Sequence, residues 1–183
     1  MKRPALIETY LVGIGHRARH GKDTVGWKLM DDLRSWGINA RVYGFAESLR
    51  CYARLTERMY EKNPAILQEM GDRLRDGNVD IFIDTLWWKI HEDHVRVAII
   101  TDLRYPNEAV AIEAAGGLTV HVDRGDYSAT DRPLDHPTET ALKKWNFQHR
   151  VVNLGTLADL DPEVRLLSRI VTNKLERRHA MEE

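Results

Sequence analysis

Apolar positions along this chain switch repeatedly between two spacings, and the switches divide it into strands and helices. Residues from about Leu6 to Gly13 form an apolar run of strand length. From Asp23 onward, Val25, Leu29, Leu33 and Trp36 recur at helical spacing, with Gly37 placed to end that helix. Ala40 to Phe45 suits a second strand, and residues 46–93 then carry helical patterns alone, broken near Asn63-Pro64 and Asp76-Gly77-Asn78. Val95 to Asp102 is a β-branched run that fits a central parallel strand buried on both faces. A helix over Pro106 to Ala115 ends at Gly116-Gly117, and Leu118 to Val122 forms another strand. Residues 125–140 are polar and Pro-containing, as an exposed loop would be. Val151 to Leu154 is a short strand, and the last helix is predicted to start with Asp161 as cap and Pro162 at its first position. Five strands alternating with helices predict an α/β fold, a three-layer α/β/α sandwich around a mainly parallel five-stranded sheet. Ligands of such sheets bind at the carboxyl ends of the strands, so the loop after the first strand and the residues after Ile100 should converge on one crevice.

Length and charge narrow the classes of function. With 183 residues the chain suits one domain, residues 1–183, with a sizeable core. Its 27 Lys and Arg nearly balance 28 Asp and Glu, which argues against a dedicated duplex-binding protein. The positive charge is local instead, because His16, Arg17, Arg19, His20 and Lys22 crowd the first loop. Cys51 is the single cysteine, so an intrachain disulfide is impossible and a reducing cytosol is the natural setting. No run approaches the ~20 apolar residues of a membrane span. The expectation is a cytoplasmic domain with neither nucleic acid nor membrane as partner.

The loop itself points to chemistry. Tyr10-Leu11-Val12 leads into Gly13-Ile14-Gly15-His16-Arg17-Ala18-Arg19-His20-Gly21-Lys22-Asp23-Thr24, and an amphipathic helix follows. A strand, a Gly-containing loop ending in Gly-Lys, and a helix make a phosphate-binding P-loop, in which backbone N–H groups surround phosphates and the Lys neutralises them. Gly15 and Gly21 enclose five residues where the motif has four, and the hydroxyl comes one position late, at Thr24. A solvated basic turn is the competing reading. Asp102, at the end of the β-branched run, could hold Mg²⁺ or its water opposite the P-loop, or simply begin a turn. Arg104 would reach the same crevice and stabilise charge in phosphoryl transfer. Among the helices of 46–93, Gln68, Gly71, Arg75, Trp87 and Trp88 are candidates for a second-substrate pocket, with core packing the alternative for both indoles. Arg124 and Arg132 could close over phosphates as a lid, while His136 and Glu139 make at best half a metal site.

Together these segments resemble the phage-type deoxynucleoside monophosphate kinases, a branch of the P-loop kinases. Gly21-Lys22-Asp23-Thr24 is similar to that family's P-loop, Phe45-Ala46-Glu47-Ser48-Leu49-Arg50 to its Phe-Ala-x-x-Leu-Lys segment, and Leu67-Gln68-Glu69-Met70-Gly71 with Arg75 to its monophosphate-side helix. Asp102-Leu103-Arg104-Tyr105-Pro106-Asn107-Glu108 resembles Asp-x-Arg-x-x-x-Glu, His136-Pro137-Thr138-Glu139 a lid motif, and Asn153-Leu154-Gly155-Thr156-Leu157 the last turn. The resemblance implies a P-loop NTPase fold with residues 46–93 as a helical substrate-binding insert and 125–140 as a lid-like loop. It implies transfer of the ATP γ-phosphoryl group to a (deoxy)nucleoside monophosphate. ATP would then bind at Gly15, Gly21, Lys22, Asp23 and Thr24, with Asn153 near the adenine and Mg²⁺ at Thr24 and Asp102. Lys22, Asp102 and Arg104 would be catalytic, and the acceptor would meet Arg50, Gln68, Arg75, Trp88, Arg104 and Arg132. Small-molecule nucleotides are the implied partners and a phage-infected host's cytoplasm the implied location, with a homodimer left open. His16 stands where the family has the first P-loop Gly, so its backbone should be strained or the turn re-routed through Gly15. The rivals are another small-molecule P-loop kinase, of the phosphomevalonate or dephospho-coenzyme A type, and a nucleotide-binding protein that has lost turnover. A nucleic-acid-binding role for Arg17, Arg19 and Lys22 is disfavoured by the net charge of −1.

Overall fold

Strand β1 (Tyr10–Gly15) is buried along its whole length, with Tyr10, Val12 and Ile14 facing one side of a sheet and Leu11 the other. The same alternation holds in β3 (Val97–Ile100), whose Val97 and Ile99 join the first side and Ala98 and Ile100 the second. Two apolar layers therefore sandwich the sheet, as a parallel sheet requires. The structure is a computed structural model that describes residues 3–15, 17–56, 64–127 and 135–180. The His16 and Arg132 assignments lie outside those residues.

The sheet has five strands in the order β2-β3-β1-β4-β5, where β2 is Ala40–Tyr43, β4 Leu118–Asp123 and β5 His149–Val152. All four pairings are parallel, with Val12 opposite both Ile99 and Leu118. Helices α1 (Lys22–Ser35) and α7 (Leu160–His179) cover one face through Leu29, Leu33, Leu167 and Val171. On the other face lie α4 (Ile81–Asp93) and α5 (Pro106–Ala114), through Leu86, Ile90 and Ile112. Helices α2 (Glu47–Thr56) and α3 (Pro64–Gly77) precede α4, and together they form the helical insert between β2 and β3. A four-residue turn of helix, α6 (Pro137–Thr140), lies between β4 and β5. This is a three-layer α/β/α arrangement with a five-stranded parallel sheet and a helical insert. Among the described residues, no helix is long and apolar enough to cross a membrane.

Several boundaries differ from the sequence-based expectations. The first strand starts at Tyr10 rather than Leu6, because Ile7 turns outward and Glu8 interrupts the apolar run. The last strand runs over His149–Val152 and stops short of Asn153, whose side chain is drawn to the first loop instead. The final helix begins at Leu160 with Asp159 at its N-cap, so Asp161 is not the cap. The Asp159 carboxylate is bound back to the Thr156 N–H and hydroxyl, while Asp161 pairs with Lys28 of α1 at 2.6 Å. Residues 137–140 of the expected polar loop are helical, entered by Pro137 after the His136 N-cap.

Candidate active site

The carboxyl ends of β1 and β3 open onto the same crevice. Gly21 is the N-cap of α1 with φ +92°, a left-handed conformation that suits a residue without a side chain. A Cβ there would lie 2.5 Å from Asn153 Nδ2, which donates to the His20 carbonyl at 2.8 Å. Asn153 thus braces the loop from the end of β5. The His20 ring is buried against the exit of β4, with Nδ1 3.2 Å from the Arg124 N–H and Nε2 3.0 Å from the Tyr127 carbonyl. Gly15 closes β1 beneath the Phe147 ring. The loop is therefore held at both ends by the sheet.

Lys22, the first residue of α1, is only 6% exposed, and its Nζ donates to the Arg17 carbonyl within the same loop. Burial pulls its pKa down to about 7, with Arg104 pulling the same way, while Asp23, Glu139 and Asp102 oppose them. A desolvated ammonium at a helix N-terminus gains strongly from an incoming polyanion. Asp23 accepts a 2.7 Å hydrogen bond from Thr101 Oγ1, tying the start of α1 to the end of β3. Thr24 is half-buried in the same turn.

Asp102 follows β3 and reaches across to the loop after β2. Its Oδ1 accepts the Phe45 N–H at 2.6 Å and its Oδ2 the Ala46 N–H at 3.0 Å, with Arg50 Nη1 at 3.8 Å. Gly44 makes room for this, since a Cβ there would lie 2.9 Å from both Asp102 Oδ2 and Arg50 Nη2. Among the described residues no three His, Cys, Asp or Glu side chains cluster as a metal cage. Thr24 and Asp102 could supply one hydroxyl and one carboxylate to Mg²⁺, which takes few protein ligands when phosphates and water supply the rest. His136 and Glu139 do not form half a metal site. His136 caps α6 through its own ring and faces Asp72 at 3.3 Å, whereas Glu139 turns to Ala18 and Arg104.

Beside Asp102 is a cavity of about 130 Å³ lined by Arg50, Gln68, Arg75, Arg104, Tyr105 and Glu108, among others. Arg75 comes from the last turn of α3 and is clamped between two aromatic rings, 4.5 Å from the Phe82 centroid and 4.0 Å from that of Tyr105. Glu108 is 2% exposed; its Oε1 pairs with Arg75 at 3.4 Å and its Oε2 accepts the N–H groups of Arg104 and Tyr105 at 2.8 and 3.0 Å. Burial pushes its carboxyl up to about 7, with the charge of Asp102 adding to the effect and the Arg104 N–H and Arg75 working against it. Gln68 donates to Thr138 Oγ1 at 3.2 Å, so α3 and α6 meet over the cavity.

Of the candidates read from the sequence, Arg50, Gln68, Arg75, Asp102 and Arg104 line one cavity, and Lys22 feels both Asp102 and Arg104. Trp88 is not among the lining residues; its ring stands edge-on to His91 at 6.1 Å, and Trp87 is packed in the core. Arg124 lies over Tyr127 and donates to the Arg19 carbonyl at 3.0 Å, at the β4 side of the loop. Glu108 and His20 carry more of the site's geometry than their residue types suggested. A Glu two residues after Pro106 was a readable sign for Glu108, because it occupies the N3 position of a capping box.

No family profile matches the chain, and no curated protein matches it. Solved structures do resemble it. The crystal structure of APE1195 is 17% identical with a TM-score of 0.51, covering 94% of this chain and 99% of that one. A shikimate kinase from Acinetobacter baumannii in complex with shikimate is 18% identical with a TM-score of 0.50, covering 93% and 97%. The Mycobacterium tuberculosis APS kinase CysC, as its Cys556Ala mutant, gives 16%, 0.46, 87% and 97% respectively. At these identities the shared property is the fold.

Proposed function

We propose that this chain is an ATP-dependent small-molecule kinase whose acceptor is a nucleoside monophosphate. The observation that carries this reading is the placement of Arg50, Arg75 and Arg104 around one cavity beside Asp102, with Arg104 close enough to depress the P-loop Lys22. Three guanidinium groups suit the oxygens of a phosphate ester. The carboxylates at the cavity, Asp102 and Glu108, each already hold two backbone N–H groups. A hydroxyl acceptor would need one of them as general base, whereas a phosphate oxygen arrives ionised and needs none. In this reading the P-loop backbone and Lys22 bind the donor phosphates, and Arg104 stands between donor and acceptor to stabilise the charge of a loose transition state. Thr24 and Asp102 are the side chains that would hold Mg²⁺, which when bound neutralises phosphate charge. Arg50 and Arg75 orient the acceptor.

A second reading is a kinase acting on a hydroxyl of a small carboxylate or sulfate. The likeness to the shikimate-bound kinase favours it, since the same arginines would hold a carboxylate. An ADP-release assay separates the two. ATP and Mg²⁺ are supplied with each common ribo- and deoxyribonucleoside monophosphate, with shikimate, and with adenosine phosphosulfate. Acceptor-dependent ADP with a monophosphate is expected. ADP with shikimate or the phosphosulfate alone selects the second reading, and none with any acceptor rejects both.

A further inference from the structure

Glu139 is 6% exposed, yet it lies in a four-residue helix beside the Arg104 side chain. Burying a carboxylate costs several kcal/mol unless charged partners meet it at good geometry. Two of its hydrogen bonds tie it to separate segments. Oε2 accepts the Ala18 N–H, in the outer turn of the P-loop, at 2.9 Å. Oε1 accepts Arg104 Nη1 at 2.8 Å, and the same Nη1 also donates to the Thr138 carbonyl at 3.1 Å. On the opposite side α6 meets the insert, through Gln68 on Thr138 and Asp72 on His136.

From this geometry we propose that Glu139 is a positioning residue that fixes the guanidinium of Arg104 against the P-loop, so that donor and acceptor sites share one alignment. The inference rests on the kinase reading above. Glu108 holds the Arg104 backbone while Glu139 holds its side chain, which leaves the arginine little rotational freedom. A group that must meet transition-state charge benefits most from such restraint, because a displacement of about 1 Å can cost on the order of 10²-fold in rate. Leu142, three residues on, is 1% exposed in the same apolar cluster as Ile112 of α5, which gives the segment a second anchor.

A double-mutant cycle with Glu139→Gln and Arg104→Ala tests the proposal, with Glu139→Asp taking the place of the amide if that variant does not fold. Glu139→Gln should lower kcat by roughly 10–100-fold while the KM for ATP changes by less than about threefold. In the Arg104→Ala background it should cost no more than about twofold further. Losses that multiply across the cycle would overturn the proposal. A readout independent of turnover is hydrogen exchange at the Ala18 amide, expected to quicken at least about tenfold in Glu139→Gln. Unchanged exchange would remove the tie to the P-loop. If the wild-type chain forms no ADP with any acceptor, the kinase reading falls, and the Ala18 exchange still decides whether Glu139 holds the loop.

Discussion

Replacing Glu108 with Gln should make the protein more stable at neutral pH and a poorer binder of its acceptor. The carboxyl is raised from 4.5 to about 7, mainly by burial. Below pH 4.5 it is protonated both folded and unfolded, and its titration leaves the folding equilibrium unchanged. Between 4.5 and 7 the folded chain holds a proton that the unfolded chain releases, so stability falls as pH rises through this window. Above 7 the ionised carboxylate costs the fold about 3 kcal/mol, at 1.36 kcal/mol for each of the roughly 2.5 pH units. Solvent screening is slight, because the residue is 2% exposed. Gln keeps an oxygen to accept the Arg104 and Tyr105 N–H groups but carries no charge to lose. Urea unfolding at pH 4.5 and pH 8 should therefore show near-equality at the lower pH and a gain for Glu108→Gln of up to about 3 kcal/mol at the higher. The same variant should raise the acceptor KM about tenfold, since Arg75 loses its ionic partner. A stability difference that does not change with pH would refute this account.

Lys22→Met should abolish most turnover and still stabilise the fold, because Lys22 is buried with its pKa drawn from 10.5 to about 7. A lowered base costs stability below pH 7, and the cost fades as pH climbs to 10.5, so the variant's melting-temperature advantage should shrink across that range. Gly21→Ala should cost about 1–2 kcal/mol in denaturant unfolding, from the φ of +92°, and weaken ATP binding by pushing Asn153 aside. Trp88→Phe should leave the acceptor KM within about twofold, because Trp88 does not line the cavity; a tenfold rise would return it to the site.

The layers of the fold were legible because burial imposes a period. Val25, Leu29 and Leu33 repeat at helical spacing and all are fully buried on one sheet face. The run Val97–Ile100 is apolar on both sides because both are covered. The start of α1 was legible at Gly21 and Lys22, which are adjacent in sequence and obey local backbone rules. Trp88 misled because indoles serve cores and base stacking alike, and only the rotation of α4 decides between them. The roles of Glu139 and His20 depend on partners far along the chain: Glu139 bonds Ala18, 121 residues away, and His20 meets Tyr127, 107 residues away. No periodicity encodes such contacts. Asp159 rather than Asp161 at the last cap is a smaller case, settled by Thr156 and by Lys28 on a neighbouring helix.

Lys22 and Glu108 are both buried at the crevice, 6% and 2% exposed. Lys22 is held where its charge is disfavoured, and so is Glu108, and each lowers the stability of the ligand-free fold near pH 7. A surface basic turn would leave its lysine solvated, whereas Lys22 is buried. Lys22 would recover its cost on meeting phosphate, whereas the charge of Glu108 is offset by Arg75, which it holds at the cavity. Arg104 links the two, since its charge acts on Lys22 and its backbone N–H is held by Glu108, which supports the kinase proposed above. Burial of the two groups also sets an order of sensitivity. Variants that neutralise these groups should gain stability and lose catalysis, whereas variants in the α1–α7 face should lose both together.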